Sequence, residues 1–274
     1  RRPPRSTQGV SSAASDVYKR QQLSTHDLRI EIGDVVVCRD LCTTFLPGQV
    51  WTILGPNGVG KSTLLRTLAG LYQPIAGQVS FDGQPLADIP RRKRARQIGI
   101  LFQDHADVFP LTVMETVLTG RHPWCSPLQG ESALDLERVD QVLGQVGLNG
   151  FQDRNLFSLS GGERRRVDLA ALAVQDSAVV LLDEPSNHLD PRHQVTLLGG
   201  MIDQWRRARR TVVMVLHDIN LAVRFSDYLV FLYGDGKASH GLVAEMATEG
   251  HFSRLYDQPM GRYQANDRDL FFPL

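Results

Sequence analysis

Gly55-Pro56-Asn57-Gly58-Val59-Gly60-Lys61-Ser62-Thr63 follows directly on the apolar run Val50-Trp51-Thr52-Ile53-Leu54. The nonapeptide fits G-x-x-x-x-G-K-[ST]; the run before it reads as a buried strand, and Leu64 to Leu71 after it reads as a helix. This strand-loop-helix order predicts an α/β protein. Its glycines let the backbone curl so that successive N–H groups face phosphate oxygens, with the positive end of the helix dipole behind them. In such a loop Lys61 reaches the β- and γ-phosphates of a nucleoside triphosphate, Ser62 offers a hydroxyl to Mg2+, and Thr63 touches the α-phosphate. The plain alternative is a glycine-rich turn that matches by chance, and the flanking strand and helix argue against it.

A second segment, Val179-Val180-Leu181-Leu182-Asp183-Glu184-Pro185, places two adjacent acids at the end of a buried strand. On its own such a pair reads as a helix cap or a solvated couple. Beside a phosphate loop it reads differently: Asp183 holds Mg2+, usually through water, and Glu184 faces the γ-phosphate, where it orients or deprotonates the attacking water.

Between these lies Leu159-Ser160-Gly161-Gly162-Glu163, a helix start whose free N–H groups and serine hydroxyl suit a second phosphate contact. With this pentapeptide the chain resembles the ATP-binding subunits of ABC transporters, whose signature is usually written LSGGQ. Further elements occur in the family's order: Gln103 in Leu101-Phe102-Gln103-Asp104, the loop Ser186-Asn187-His188-Leu189-Asp190, and His217 after Thr211 to Leu216. The resemblance runs from about Leu28 to Tyr256. It implies a P-loop NTPase of the ABC type, with a RecA-like parallel sheet core, an N-terminal antiparallel β subdomain and a helical signature subdomain. It also implies ATP and Mg2+ as cofactors, with Gln103 beside Ser62 and Asp183 at the metal, and His217 on the γ-phosphate. In the family the signature residues Ser160, Gly161, Gly162 and Glu163 serve ATP held by a second subunit, so a head-to-tail homodimer is implied, and Asp190 is implied as a further ATP-binding residue. Transmembrane permease subunits, and indirectly a periplasmic substrate-binding protein, are the implied partners. The implied location is peripheral, on the cytoplasmic face of the inner membrane.

Two positions depart from the family pattern. Glu163 stands where Gln is commoner, which keeps hydrogen-bonding reach and adds charge. The family's adenine-stacking aromatic lines up with Ile32, and no Phe, Tyr or Trp lies between His26 and Val37. Adenine is then held by apolar contact, by His26 if it swings in, or weakly.

The chain has 274 residues, 42% of them hydrophobic, enough for one large domain or two small ones. Thirty basic residues balance thirty acidic ones, which argues against bulk attraction to nucleic acid. The basic run Arg91-Arg92-Lys93-Arg94-Ala95-Arg96 reads as a solvated helix face, because no aromatic residue interleaves with its charges. Thr211 to Leu216 and Val179 to Leu182 fall short of the about 18 to 20 residues that span a bilayer. Cys38, Cys42 and Cys125 show no metal-ligand spacing with histidine and read as reduced thiols, partly buried.

Residues 1–21 carry no amphipathic period and no apolar signal core; they resemble translated adapter sequence, with a disordered basic tail as the alternative. Residues 22–262 read as the ATP-binding domain. The alternation Leu28, Ile30, Ile32 and the run Val35-Val36-Val37 predict antiparallel strands, joined by the hairpin-like Gly77 to Gly83. A helical subdomain is expected over about residues 108–165, with Pro110, Pro123 and Pro127 in its turns and helices through Val113 to Leu118 and Leu136 to Val146. Residues 263–274 form a tail, and the end of the chain is expected to be helical.

The stretches Glu115 to Pro123, Asn187 to Gln194 and Leu216 to Ala222 look most like the ATPases of importers for cobalamin, ferric siderophores and haem, with cobalamin favoured. The competing reading is a soluble ABC ATPase acting on ribosomes or DNA. Members of those groups commonly carry two ATPase units or a long coiled coil. This chain has one phosphate loop and no sustained heptads between Lys61 and Asp183.

Overall fold

The computed structural model describes residues 21–103, 110–125, 130–265 and 268–274. The expected tail through residue 20, Asp104 and Pro127 lie outside the described residues. In chain order the first elements are β1 (Leu23–Ile32), β2 (Val35–Phe45), β3 (Val50–Leu54), α1 (Lys61–Leu68), β4 (Ala76–Phe81), β5 (Gln84–Pro85), α2 (Arg91–Gln97) and β6 (Ile98–Leu101). A helical stretch follows, with α3 (Val113–Leu118), α4 (Ala133–Gln145) and α5 (Gly161–Gln175). The chain then returns through β7 (Val179–Asp183), α6 (Gly199–Arg207), β8 (Thr211–Val215), α7 (Ile219–Phe225), β9 (Tyr228–Leu232) and β10 (Ala238–Leu242). It closes with α8 (Val243–Met246), α9 (Glu249–Tyr256), β11 (Met260–Ala265) and β12 (Arg268–Pro273).

The core sheet has the order β10-β9-β3-β8-β7-β6, with β9, β3, β8, β7 and β6 parallel and β10 antiparallel at the edge. Its central strands β3, β7 and β8 are mainly apolar and fully buried because both faces are covered, whereas the edge strand β10 carries Ser239 and His240 and is partly exposed. Val50, Leu54, Val180, Leu182, Val212, Met214, Leu229 and Phe231 face one hydrophobic core with the helical stretch. The alternate residues Trp51, Ile53, Val179, Leu181, Val213, Val215, Val230 and Leu232 face a second core. That second core is closed by the antiparallel sheet β2-β1-β4-β5, through Leu28, Ile30, Val37 and Phe81.

Register places the functional loops at one edge. Leu101 pairs with Leu182 and Asp183 with Val215, while Ile53 pairs with Val215. The carboxyl ends of β3, β6, β7 and β8 therefore lie side by side, the position at which open α/β sheets bind ligands.

Three expectations need correction. The end of the chain is not helical: after α9 it forms the hairpin β11–β12, whose Phe271 is buried against Phe252 with ring centroids 4.8 Å apart. Its inward ring, rather than a helical period, fixes this structure, and a boundary at residue 262 cuts β11. A subdomain boundary at residue 165 likewise cuts α5, which continues from the helical stretch to the strand β7. The basic helix α2 buries none of its residues, yet it is not a purely solvated face. Arg92 and Arg96 donate to the Pro123 carbonyl, and Arg96 lies over the Trp124 ring at 5.0 Å.

Candidate nucleotide-binding site

The loop from Gly55 to Gly60 is shaped by close approach. A Cβ on Gly55 would lie 2.5 Å from the Leu232 carbonyl oxygen, and one on Gly60 would lie 2.4 Å from a Val37 methyl. Gly60, at φ +98°, is the N-cap of α1 and offers no side chain, so the first N–H groups of the helix stay available to an anion. Lys61 is buried; its Nζ donates to the carbonyl oxygens of Gly55 and Pro56 at 2.9 Å each.

Ser62 Oγ donates to Asp183 Oδ1 at 2.9 Å. Asp183 Oδ2 is buried with no hydrogen-bond partner among the described residues. Burial pushes the Asp183 carboxyl up from its ordinary range, against the Ser62 bond, and pulls the Lys61 ammonium down, against the nearby Glu184 and Asp183 charges. A desolvated acid short of a donor and a desolvated ammonium beside it are both relieved by a ligand carrying a cation and an anion. Mg2+ with phosphate oxygens fits that demand. Among the described residues no group of three or more His, Cys, Asp or Glu could hold a metal.

Glu184 is 6% exposed and has φ +49°, a left-handed conformation uncommon for a residue with a Cβ. Its Oε1 lies 2.5 Å from His217 Nε2, and its Oε2 accepts a bond of 2.6 Å from Asn187 Nδ2. The carboxylate is held at both oxygens at the sheet edge. Asn57, Gly58, Gly60, Lys61, Ser62, Thr63, Gln103, Glu184 and His217 line one cleft of about 470 Å3.

The signature residues Ser160, Gly161, Gly162 and Glu163 are not among the residues lining this cleft. They form a capping box at the start of α5: Ser160 Oγ donates to Glu163 Oε2 at 2.7 Å, and the Glu163 N–H donates back to Ser160 Oγ at 3.3 Å. Glu163 thereby has a local task that explains an acid there, and these bonds hold its carboxyl below the usual range. Gly161 and Gly162 keep N–H groups without intrahelical partners, and a Cβ on Gly162 would lie 3.0 Å from the His188 carbonyl oxygen. Asp190 caps the short helix that follows it, accepting from the His193 N–H at 2.8 Å, and it does not line the cleft.

Ile32 ends β1 and is 41% exposed. His26 lies near the other end of that strand, paired with Gln78, its Nε2 3.3 Å from Ser24 Oγ; it does not line the cleft. Two residues escaped sequence reasoning. Asn187 belongs to a loop already singled out, but its bond to Glu184 needs the turn in which the Asn187 N–H donates to the Glu184 carbonyl. Arg165 is a buried cation behind the acids, and one arginine of the three at 164–166 gives no signal of burial.

The protein-family model described as ABC transporter matches residues 38–187. The chain is 36% identical over 229 residues to the "Probable siderophore transport system ATP-binding protein YusV" of Bacillus subtilis (strain 168), covering 82% of this chain and 83% of that protein. It is 34% identical over 242 residues to the hemin import ATP-binding protein HmuV of Bordetella avium (strain 197N), covering 85% and 91%. Its fold is similar to a chain of a structure described as a metal-chelate type ABC transporter in an inward-facing conformation. The TM-score there is 0.80 at 26% identity, covering 93% of this chain and 98% of that one. A phosphate loop, a buried acid pair, a histidine at the next strand end and relatives of nearly full length agree: the chain belongs to the ABC transporter family and is one of its ATP-hydrolysing ATP-binding subunits.

Proposed function

We propose that two copies of this ATPase close head to tail over two ATP molecules and power the uptake of a metal chelate through a separate membrane permease. The observation that carries this reading is that the cleft gathers Lys61, Ser62, Gln103, Glu184 and His217 but none of Ser160 to Glu163. The signature's unpaired helix N–H groups then serve a nucleotide held by another copy. Lys61 and the N–H groups from Gly58 to Thr63 bind the phosphates; Ser62 and Asp183, with Gln103 beside them, hold Mg2+. When bound, that ion neutralises charge on the β- and γ-phosphates. Glu184, steadied by Asn187, takes the proton of the attacking water, and His217 contacts the γ-phosphate.

Relatives named for siderophore and hemin import support a metal chelate as cargo, and favour transport over action on ribosomes or DNA. No helix among the described residues is long and apolar enough to cross a membrane. The relatives named as ATP-binding proteins of transport and import systems support separate permease subunits, at whose cytoplasmic face this chain docks. A periplasmic binding protein is the indirect partner. Mixing Lys61→Ala and Ser160→Ala subunits tests the shared site: each heterodimer has one doubly damaged site and one intact site, so hydrolysis reappears on mixing. If both mutants are inactive alone and every mixture stays inactive despite proven heterodimers, obligatory coupling of the two sites or a different geometry replaces this reading.

A further inference from the structure

Arg165 lies one turn into α5, 3% exposed, directly behind the acid pair. Its Nη2 donates to the carbonyl oxygens of Asp183 at 2.7 Å and Glu184 at 2.8 Å. Its Nη1 donates to the Phe102 carbonyl at 2.7 Å and makes a longer bond to the Gln103 carbonyl at 3.4 Å. One planar guanidinium therefore spans the ends of two adjacent strands, β6 and β7, at the point where their loops enter the cleft. Asp168 Oδ2, 4.0 Å from Nη1, partly balances the charge.

These bonds fall at a residue of uncommon backbone conformation. Glu184 holds φ +49°, and its peptide groups are tied from outside its own loop: its N–H donates to the Val215 carbonyl at 3.1 Å, and its carbonyl accepts from the Arg165 guanidinium. A left-handed residue with a Cβ persists only where its surroundings determine it. The fork geometry suits the task, since a guanidinium presents donors along two edges in one plane, whereas an ammonium is a single point.

We infer that Arg165 is a positioning residue for ATP hydrolysis: it fixes the left-handed backbone that aims Glu184 and the start of the Gln103 loop at the cleft, and ties both to the helix that begins with the signature. The inference rests on the reading of Glu184 as general base. The four carbonyl oxygens to which Arg165 donates belong to the Gln103 and Glu184 segments, not to the phosphate loop, so its loss spares nucleotide binding and weakens turnover.

The test is steady-state ATP hydrolysis by the full chain carrying Arg165→Gln or Arg165→Lys, each alone and combined with Glu184→Gln, with melting temperature and ATP binding measured alongside. Expected are an ATP KM within about threefold of wild type and kcat lower by about tenfold or more in Arg165→Gln, with a smaller fall in Arg165→Lys, which keeps the charge. Added to Glu184→Gln, Arg165→Gln lowers the residual rate by less than about twofold, because the group it positions is already gone. A kcat within about twofold of wild type in both single variants overturns the inference, as does a full multiplicative loss in the double variant. Variants that fail to fold or to bind ATP assign Arg165 to core stability alone and overturn it too. If Glu184→Gln keeps wild-type turnover, the reading of the base has failed; if Glu184→Gln is inactive and Arg165→Gln is not, only the inference on Arg165 has.

Discussion

Replacing Gly60 by alanine probes the phosphate loop with the least possible change, one methyl group. The added Cβ would lie 2.4 and 2.8 Å from the two Val37 methyls and 3.1 Å from the Val37 Cβ. Val37 is fully buried and β-branched, so no rotamer moves both methyls away without disturbing the core between the two sheets. Overpacking of this kind costs about 1 to 3 kcal/mol. The backbone adds its own term, because φ +98° at Gly60 is a left-handed conformation that disfavours a Cβ by about 1 to 2 kcal/mol. The sum, about 2 to 5 kcal/mol, is a large part of the stability of an ordinary domain. Urea unfolding should show that loss, and ATP titration a parallel weakening, since the N–H groups around Gly60 are those that face phosphate. The two terms can be separated. In a Val37→Ala background the two methyl contacts are gone and the one at 3.1 Å stays, so Gly60→Ala should cost less there by about 1 to 3 kcal/mol. A Gly60→Ala protein within about 0.5 kcal/mol of wild type, or strict additivity with Val37→Ala, would refute the steric argument.

Glu184→Gln should bind ATP as wild type does but hydrolyse it about 10²-fold or more slowly, since it removes the base and leaves the cradle intact; gel filtration with ATP should show a trapped dimer, and a monomer with normal turnover would defeat the assignment. If Ile32 occupies the base position, apparent affinities for ATP and GTP should agree within about threefold, and Ile32→Tyr should tighten ATP through stacking worth about 1 to 3 kcal/mol; a strong ATP preference in the wild type with no gain from tyrosine would mean that another residue holds the base. Asp135, N3 of the α4 capping box, has its pKa lowered to about 2 by its bonds to the Ser132 backbone and side chain and to Arg121. A depressed carboxyl stabilises the fold above its ordinary pKa of 3.8 and loses that contribution as pH falls towards 2. Melting temperatures should therefore fall more steeply between about pH 4 and pH 2 in wild type than in Asp135→Asn, and parallel curves would reject this account.

How much was legible in advance follows from how local each signal is. The phosphate loop is a backbone device written in consecutive residues, and its flanking strand and helix declare themselves by apolar content and period. The acid pair at the end of Val179 to Leu182 is equally local. The capping boxes that start α3, α4 and α5 are local too, each closed between residues three apart, but were not singled out from the sequence. The terminal hairpin was not legible, because the burial that stabilises it is supplied by Phe252 on another element. Nor was the base's environment: the bonds that fix Glu184 come from Val215, His217 and Arg165, whose relation to it is set by sheet register and by the packing of α5. The sequence alone determined which chemical groups exist and which local loops present them, since those depend on neighbouring residues. Only the tertiary structure decided which groups meet, because a single buried guanidinium joining two strand ends depends on contacts between residues 63 and 18 positions apart that no local pattern encodes.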